Sequence, residues 1–318
     1  MPVRVSRRTA LLAPLAVAAG CLTDPWDTLP DTSLTIATGN RGGVFARYGE
    51  ALSEVVTNRL DGLTSTTRLT DASVENLHLV SDGTCDVGFS LGDVASDAIR
   101  GSGAFESPQQ VVALARTYDS FVHLVVRTDS GIKEVTDLRG RRVGIGAPSS
   151  GTRVVARRLL TRAGVRLSEV QVRTASLEAS AAALGERRLD AFFFVSGLPN
   201  QAVLSLSDTV EIRLLDLGGL VRAMTSRFGP EYAAGPVPSS TYAMPSAVET
   251  ISVKNYIVVH PQMPDEVAYA LTRVMFEGQA EIERVAPDVR QPNLGAAVFT
   301  SPLDLHPGSV RYYRERRP

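Results

Sequence analysis

Leu34-Thr35-Ile36-Ala37-Thr38-Gly39-Asn40-Arg41-Gly42-Gly43-Val44-Phe45 reads as a short apolar strand that runs into a glycine-rich turn and then into a helix. The glycines let backbone N–H groups approach a ligand, and a helix N-terminus favours negative charge. Arg41 adds a cation able to fork onto a carboxylate. An ordinary strand-to-helix turn with a solvated arginine explains the same residues, and spacing alone leaves both readings open.

Outward from this stretch, strand-length apolar runs alternate with segments of helical period. Leu34 to Thr38 precedes Ala46 to Arg59, Thr64 to Leu69 precedes Ser73 to Ser81, and Asp86 to Ser90 precedes Asp93 to Ile99. A second set follows, with strands at Val111 to Leu114, His123 to Arg127, Arg142 to Gly146, Gln171 to Thr174 and Asp190 to Phe194, and helices at Thr152 to Ala163 and Ser176 to Glu186. Gly235 to Thr250, rich in Pro and Ser, reads as loop; Val253 to Val259 returns as a strand before two helical segments within Asp265 to Arg284. This alternation predicts parallel-rich sheet with crossover helices. Two α/β units joined by long strands near His123 to Arg127 and Ile251 to Val259 would form a hinge with a cleft between them.

Other loops repeat the opening pattern. Val143 to Thr152 is again strand, small-residue loop and helix start; its Gly144-x-Gly146 is a poor dinucleotide fingerprint, because Ser149 stands at the third glycine and Pro148 interrupts the turn. Its hydroxyls and amides suit an anion, and plain N-capping by Ser149, Ser150 or Thr152 suits them equally. Ser73-Val74-Glu75-Asn76 opens a helix with Asn76 free to hydrogen-bond, though a cap suffices to explain it. Ser196-Gly197-Leu198-Pro199 follows an apolar strand at the end where α/β sheets bind ligands, with a tight turn as the alternative.

The chain has 318 residues, 44% of them hydrophobic, enough for a real core and two lobes. Its 33 basic and 34 acidic residues leave no global attraction to nucleic acid or anionic lipid, so anion binding requires a local site. Arg4, Arg7 and Arg8 precede an apolar run from Ala10 to Ala19 that is too short to span a bilayer, which reads as an export signal of twin-arginine type. Ala18-Ala19-Gly20-Cys21 reads as a lipoprotein cleavage box that acylates Cys21, with simple cleavage as the alternative, since Ala18 stands where Leu is commonest. Either way residues 1–20 carry three arginines and no acid, so the mature chain is mildly acidic. If Cys21 is acylated, Cys85 has no disulfide partner and is expected to be a small buried thiol.

No metal site is expected: His78, His123, His260 and His306 are dispersed without paired ligand spacing. There is no Gly-x-Ser-x-Gly elbow and no phosphate-binding Gly-Lys-Ser/Thr loop. Neither a cofactor nor a catalytic group is expected.

With these loops in hand, the chain resembles the TAXI solute-binding proteins of tripartite ATP-independent periplasmic (TRAP) transporters. The likeness runs in one register from Leu34 to Arg316. It rests on Thr38-Gly39 with Gly42-Gly43, Ser73-Val74-Glu75-Asn76-Leu77, Asp86-Val87-Gly88-Phe89 with Asp93-Val94-Ala95, and Val122-His123-Leu124-Val125. Ser130-Gly131-Ile132, Asp137-Leu138-Arg139-Gly140, Gly146-Ala147-Pro148 with Gly151-Thr152, Asp190-Ala191-Phe192-Phe193 and His306-Pro307-Gly308 with Tyr312-Tyr313 continue it.

The resemblance implies a two-lobed α/β periplasmic binding protein of type II (Venus-flytrap) fold with a hinge between the lobes. It places the chain in the periplasm or on the outer face of the cytoplasmic membrane, anchored through Cys21. Residues 1–20 would be the export signal, 21–32 a polar tether, 33–121 with 251–318 one lobe, and 122–250 the other. Its ligand would be a small organic anion such as glutamate, 2-oxoglutarate or a related carboxylate, handed to a TRAP membrane subunit. Thr38, Gly42, Gly43, Val44, Ser73, Asn76, Ser149, Gly151, Thr152, Ser196 and Pro199 would line the cleft, with Gly39, Arg41, Phe45, Ser90 and Asp93 completing the candidate set. Phe45 stands where the family usually has tyrosine, Leu91 where glutamine is frequent, and Arg41 where a small hydroxylated residue is common, so two hydrogen-bond handles are lost and a cation is gained.

Two other readings compete. A ligand-sensing module of a signalling receptor would have the same sequence features and a different partner. An exported hydrolase or transferase would need a nucleophile and a base, for which Ser149 with His123 is the one pairing worth naming.

Overall fold

A computed structural model describes residues 28–316. Residues 1–20, read above as an export signal, and Cys21 lie outside the described residues. The first unit comprises β1 (Thr28–Ala37), α1 (Val44–Arg59), β2 (Asp61–Arg68), α2 (Ser73–Ser81), β3 (Val87–Leu91) and α3 (Gly92–Arg100). The long β4 (Val112–Arg127) leads to β5 (Arg142–Gly144), α4 (Gly151–Arg162), β6 (Gln171–Arg173), α5 (Leu177–Gly185), β7 (Ala191–Ser196), α6 (Gln201–Ser207), β8 (Ile212–Leu214), α7 (Val221–Phe228) and β9 (Tyr232–Val237). The second long strand, β10 (Val248–Val259), returns to α8 (Asp265–Glu277), α9 (Gln279–Val285), α10 (Leu294–Ala297) and α11 (Pro307–Glu315).

The strands form one curled mixed sheet in the order β2-β1-β3-β10-β4-β7-β5-β6, with β8 on β4 and β9 on β10. Each long strand serves both halves. In β4, residues up to Phe121 pair with β10, and Phe121 to Val126 pair antiparallel with β7. In β10, Asn255 to Val259 pair with β3, and Val248 to Val253 pair with β9. The first half of the sheet is therefore β1 to β3 with one end of each long strand, and the second half is β5 to β9 with the other.

One apolar cluster runs through both halves, from Leu77 and Val94 through Val122 and Val253 to Val143 and Leu159. A second, with Ile36, Tyr48, Phe89, Leu271 and Tyr312, lies in the first half, and a third, with Leu184, Phe192, Leu206 and Leu214, lies in the second.

Three sequence expectations need correction. Residues 28–32, assigned to a tether, form the start of β1: their backbone pairs with β2 from Thr28 opposite Asp61, with an irregularity before Thr32. A ladder needs only backbone groups, so the polar side chains there hide it. The runs Val111 to Leu114 and His123 to Arg127 are parts of one strand, since the intervening Thr117 and Ser120 are buried polar residues whose hydroxyls hydrogen-bond to Asn255 on β10. Gly235 to Thr250 is not all loop: Gly235 to Val237 end β9 and Val248 to Thr250 begin β10, and Pro236 is tolerated because β9 pairs on one side only.

Among the described residues no helix is long and apolar enough to cross a membrane. Cys85 is buried and free, and burial pushes its thiol up, opposite to the direction of a reactive thiolate.

Candidate functional site

A cleft closes between the two halves of the sheet. From the first half it is walled by Gly39, Asn40, Gly43, Val44, Phe45, Asp71, Ala72, Ser73 and Leu91, from the second by Ser150, Gly151, Thr152, Phe194, Val195 and Ser196, and at its base by Tyr118 and Ser120 of β4. The free space inside is about 30 Å³, room for a water molecule or two.

Four helices begin at this cleft, and α3, whose N-cap Leu91 lines it, has its N-terminus answered by Asp93 in its first turn. α1 starts after Gly42, whose φ of +73° only glycine adopts freely, and Gly43 caps it without a side chain. α4 is capped by Ser150, whose Oγ accepts from Arg153 N at 3.1 Å. Neither helix has an acidic residue in its first turn. The N–H groups of Val44, Gly151 and Thr152, which no helical carbonyl can reach, have no hydrogen-bond partner among the described residues.

α2 is different. Its Val74 and Glu75 N–H groups both donate to the Ser149 carbonyl, 3.2 Å each, across the cleft. Ser149 N in turn donates to Asp71 Oδ2 at 3.0 Å. Preceding α2, Ala72 sits at φ 86°, ψ −137°, a costly conformation for a residue with a Cβ and the kind that clusters at ligand-handling turns.

Six hydroxyl-bearing residues, Ser73, Tyr118, Ser120, Ser150, Thr152 and Ser196, complete the lining. Ser73 Oγ accepts from Leu91 N at 3.1 Å, and Ser196 Oγ accepts from Asn200 Nδ2 at 3.4 Å, so each retains its proton to donate. Tyr118 OH, on a residue only 4% exposed, has no partner among the described residues, and burial raises its phenol well above the ordinary tyrosine range. Against these polar groups stands an apolar wall of Val44, Phe45, Leu91, Phe194 and Val195; Phe45 stacks on Phe89 at 5.3 Å between centroids and lies 6.4 Å from the Tyr118 ring. Among the described residues the only charged side chain in the lining is Asp71.

Of the candidate residues, the cleft brings together Gly39, Gly43, Val44, Phe45, Ser73, Gly151, Thr152 and Ser196. The others lie elsewhere. Thr38 is fully buried, its Oγ1 donating to Arg68 O. Asn76 is saturated: Nδ2 donates to Thr38 O and Phe89 O, and Oδ1 accepts from Thr70 Oγ1, so it ties strand ends together beneath the cleft. Ser90 is fully buried, with its hydroxyl on the Leu91 carbonyl. Arg41 is exposed and does not line the cleft. Gly42 faces Glu178 of α5, whose Oε1 would lie 3.2 Å from a Cβ placed there. Ser149 takes part through its backbone, as described. Pro199 lines a larger groove of about 1010 Å³ beside the cleft, which shares Val44 and Tyr118 with it.

Asp93 belongs to a second contact between the halves. Arg158 of α4 reaches α3, donating to Asp93 Oδ2 at 2.8 Å and to Asp97 Oδ2 at 2.5 Å. Tyr232 OH of β9 donates to the same Asp93 oxygen at 2.5 Å, and the guanidinium lies 4.6 Å above the Phe228 ring. Burial opposes the charge on Arg158, but the neighbouring acids outweigh it and its pKa is raised; at Asp97 burial outweighs the pull of Arg158, and the carboxyl is pushed up.

The Ser149–His123 pairing does not form. His123 is fully buried with Nε2 at 2.8 Å from Tyr242 OH and Nδ1 at 2.9 Å from Phe121 O, and burial pushes its pKa down to about 4. Asn40, Asp71, Leu91, Tyr118, Ser150 and Phe194 are lining residues outside the sequence-derived set. Tyr118 carries the one signal that pointed to it, a phenol inside an otherwise strand-like run.

A model of the NMT1-like family matches residues 36–316. Among solved structures, the binding protein component of an ABC phosphonate transporter from Pseudomonas aeruginosa is 12% identical, with 83% of this chain and 80% of that chain covered and a TM-score of 0.56. PhnD1 from Prochlorococcus marinus in complex with methylphosphonate is 12% identical over 81% of this chain and 91% of its own, with a TM-score of 0.55. A Bordetella bronchiseptica protein is 18% identical over 90% of each chain, with a TM-score of 0.51. The fold is the α/β fold of periplasmic solute-binding proteins.

Proposed function

The chain belongs to the NMT1-like family, and from that premise we propose that it is an exported solute-binding protein which captures a small organic anion and delivers it to the membrane subunit of a transporter. The observation that carries this reading is the meeting of the α1 and α4 first turns, from opposite halves of the sheet, across one hydroxyl-lined cleft. Uncapped amides at helix N-termini are anion ligands, and they come together here only when the halves close.

Capture requires opening. About 30 Å³ does not admit an amino-acid-sized solute, so the halves part along β4 and β10, admit it and close again. In this reading the lobes are residues 33–121 with 251–318, and 122–250. The solute is a carboxylate and the membrane subunit is of TRAP type, as the TAXI resemblance implies; the Pseudomonas aeruginosa neighbour, named as part of an ABC transporter, makes an ABC-type subunit the alternative partner. Export as a lipoprotein anchored at Cys21 belongs to the same proposal.

The test is a thermal-shift screen of residues 22–318, stripped of carried-over solute by refolding, against carboxylates, phosphonates and sulfonates. A ligand that binds only the folded chain raises its melting temperature, by an amount that grows with concentration over Kd. One anion class raising it is the expected result. No shift with any anion would overturn the reading.

A further inference from the structure

The charges around the cleft narrow the solute. Each helix N-terminus is equivalent to roughly half a positive charge. α2 is already answered, by the Ser149 carbonyl on two of its amides and by Glu75 in its own first turn. α1 and α4 are not answered: they carry no first-turn acid and hold unpaired amides at the cleft. Together they supply roughly one positive charge. Among the described residues no arginine, lysine or histidine lines the cleft, and its one charged group is the carboxylate of Asp71. A solute with two negative charges would bring one of them into a closed, low-dielectric site with no countercharge.

The rest of the lining describes the rest of the solute. Val44, Phe45, Leu91, Phe194 and Val195 offer it an apolar surface, and Tyr118 OH is, among the described residues, the one buried side-chain hydroxyl in the lining with no partner. An unpaired buried hydroxyl is a cost that a matching ligand group removes. Resting on the solute-binding reading above, we propose that the cleft takes a singly charged carboxylate with an apolar body, whose oxo or hydroxyl group beside the carboxylate pairs with Tyr118. This turns the specificity away from 2-oxoglutarate, one of the carboxylates that the TAXI resemblance implies.

The test is calorimetry on residues 22–318 with 4-methyl-2-oxopentanoate, 2-oxoglutarate and 4-methylpentanoate. The first two share a keto-acid head and differ in charge and body; the first and third differ only in the oxo group. The first is expected to bind about a hundredfold more tightly than 2-oxoglutarate. Tyr118→Phe is expected to weaken the first by about tenfold and leave 4-methylpentanoate unchanged. Binding of 2-oxoglutarate or methylphosphonate as tight as that of 4-methyl-2-oxopentanoate would overturn this inference while leaving a solute-binding protein. Equal loss for both monocarboxylates in Tyr118→Phe, or no loss for either, would remove the role of the phenol. Silence from every anion would instead overturn the functional reading itself. The ligand comparison uses the unaltered chain, so it decides the charge question even if Tyr118→Phe does not fold.

Discussion

The two halves of the sheet meet at two places that use opposite electrostatics. Between α3 and α4, a full guanidinium charge is buried against two carboxylates, with Tyr232 and Phe228 closing around it. At the cleft there is no full positive charge, only the partial charges of two helix ends and a set of hydroxyls. In the first contact the charges of Arg158, Asp93 and Asp97 answer one another without a solute, with Asp93 Oδ1 alone left without a hydrogen bond among the described residues. The second holds unused donors and becomes complete only when something arrives. A charged clasp beside an unsatisfied cleft favours the closed form while leaving the cleft's donors for the right ligand.

The largest expected effect breaks the clasp. Arg158→Met leaves Asp93 and Asp97 buried without their cation, and removal of one partner of such a cluster costs about 3–5 kcal/mol. Urea unfolding followed by circular dichroism measures it; a loss below about 1 kcal/mol would mean that the clasp contributes no more than an exposed ion pair.

Acid comes next and sets the baseline for comparing the two contacts. His123 is neutral in the fold, with its pKa near 4, whereas the unfolded chain takes up the proton near 6.5. Lowering the pH through that window therefore favours unfolding, by up to about 3 kcal/mol at its lower end. Melting temperatures measured across the window should fall, and His123→Gln should flatten the slope; an unchanged slope would assign the loss to other groups.

The cleft is the subtler target. A β-carbon on Gly151 would lie 2.6 Å from Leu91 Cδ1 and 2.7 Å from Ser73 Oγ, both across the cleft. Gly151→Ala should hold the cleft apart at a cost of about 1–3 kcal/mol to closure. X-ray scattering should show a larger radius of gyration for the variant, with solute affinity down and the clasp intact. Scattering and affinity equal to those of the parent would mean that Leu91 and Ser73 give way.

The strand–loop–helix units were legible because their apolar alternation and glycine punctuation are local. The glycine and hydroxyl part of the cleft was legible for the same reason: Gly39, Gly43, Ser73, Gly151, Thr152 and Ser196 all sit where a strand ends or a helix begins. What pattern cannot distinguish is a polar group aimed at a cavity from one spent on the backbone. Asn76 and Asp93 look like ligand residues until their partners are seen. Phe194 reaches the cleft through the pairing of β7 with β4, and Tyr118 through the part of β4 that pairs with β10, long-range contacts with no local sign. The clasp had no sequence signal either, since Arg158 is one of several arginines on α4 and only the meeting of α3 with α4 singles it out.

The place of β10 in the sheet bears on how the protein is made. The strand lies between β3 and β4, yet it is the last of the ten to leave the ribosome. Until residues 255–259 emerge, β3 lacks its neighbour and the first half of the sheet stays open along that edge. Domains that fold as they are synthesised finish their N-terminal part first. This chain instead postpones both halves to the same late moment, so nascent chains ending before Val248 should be protease-sensitive along their whole length.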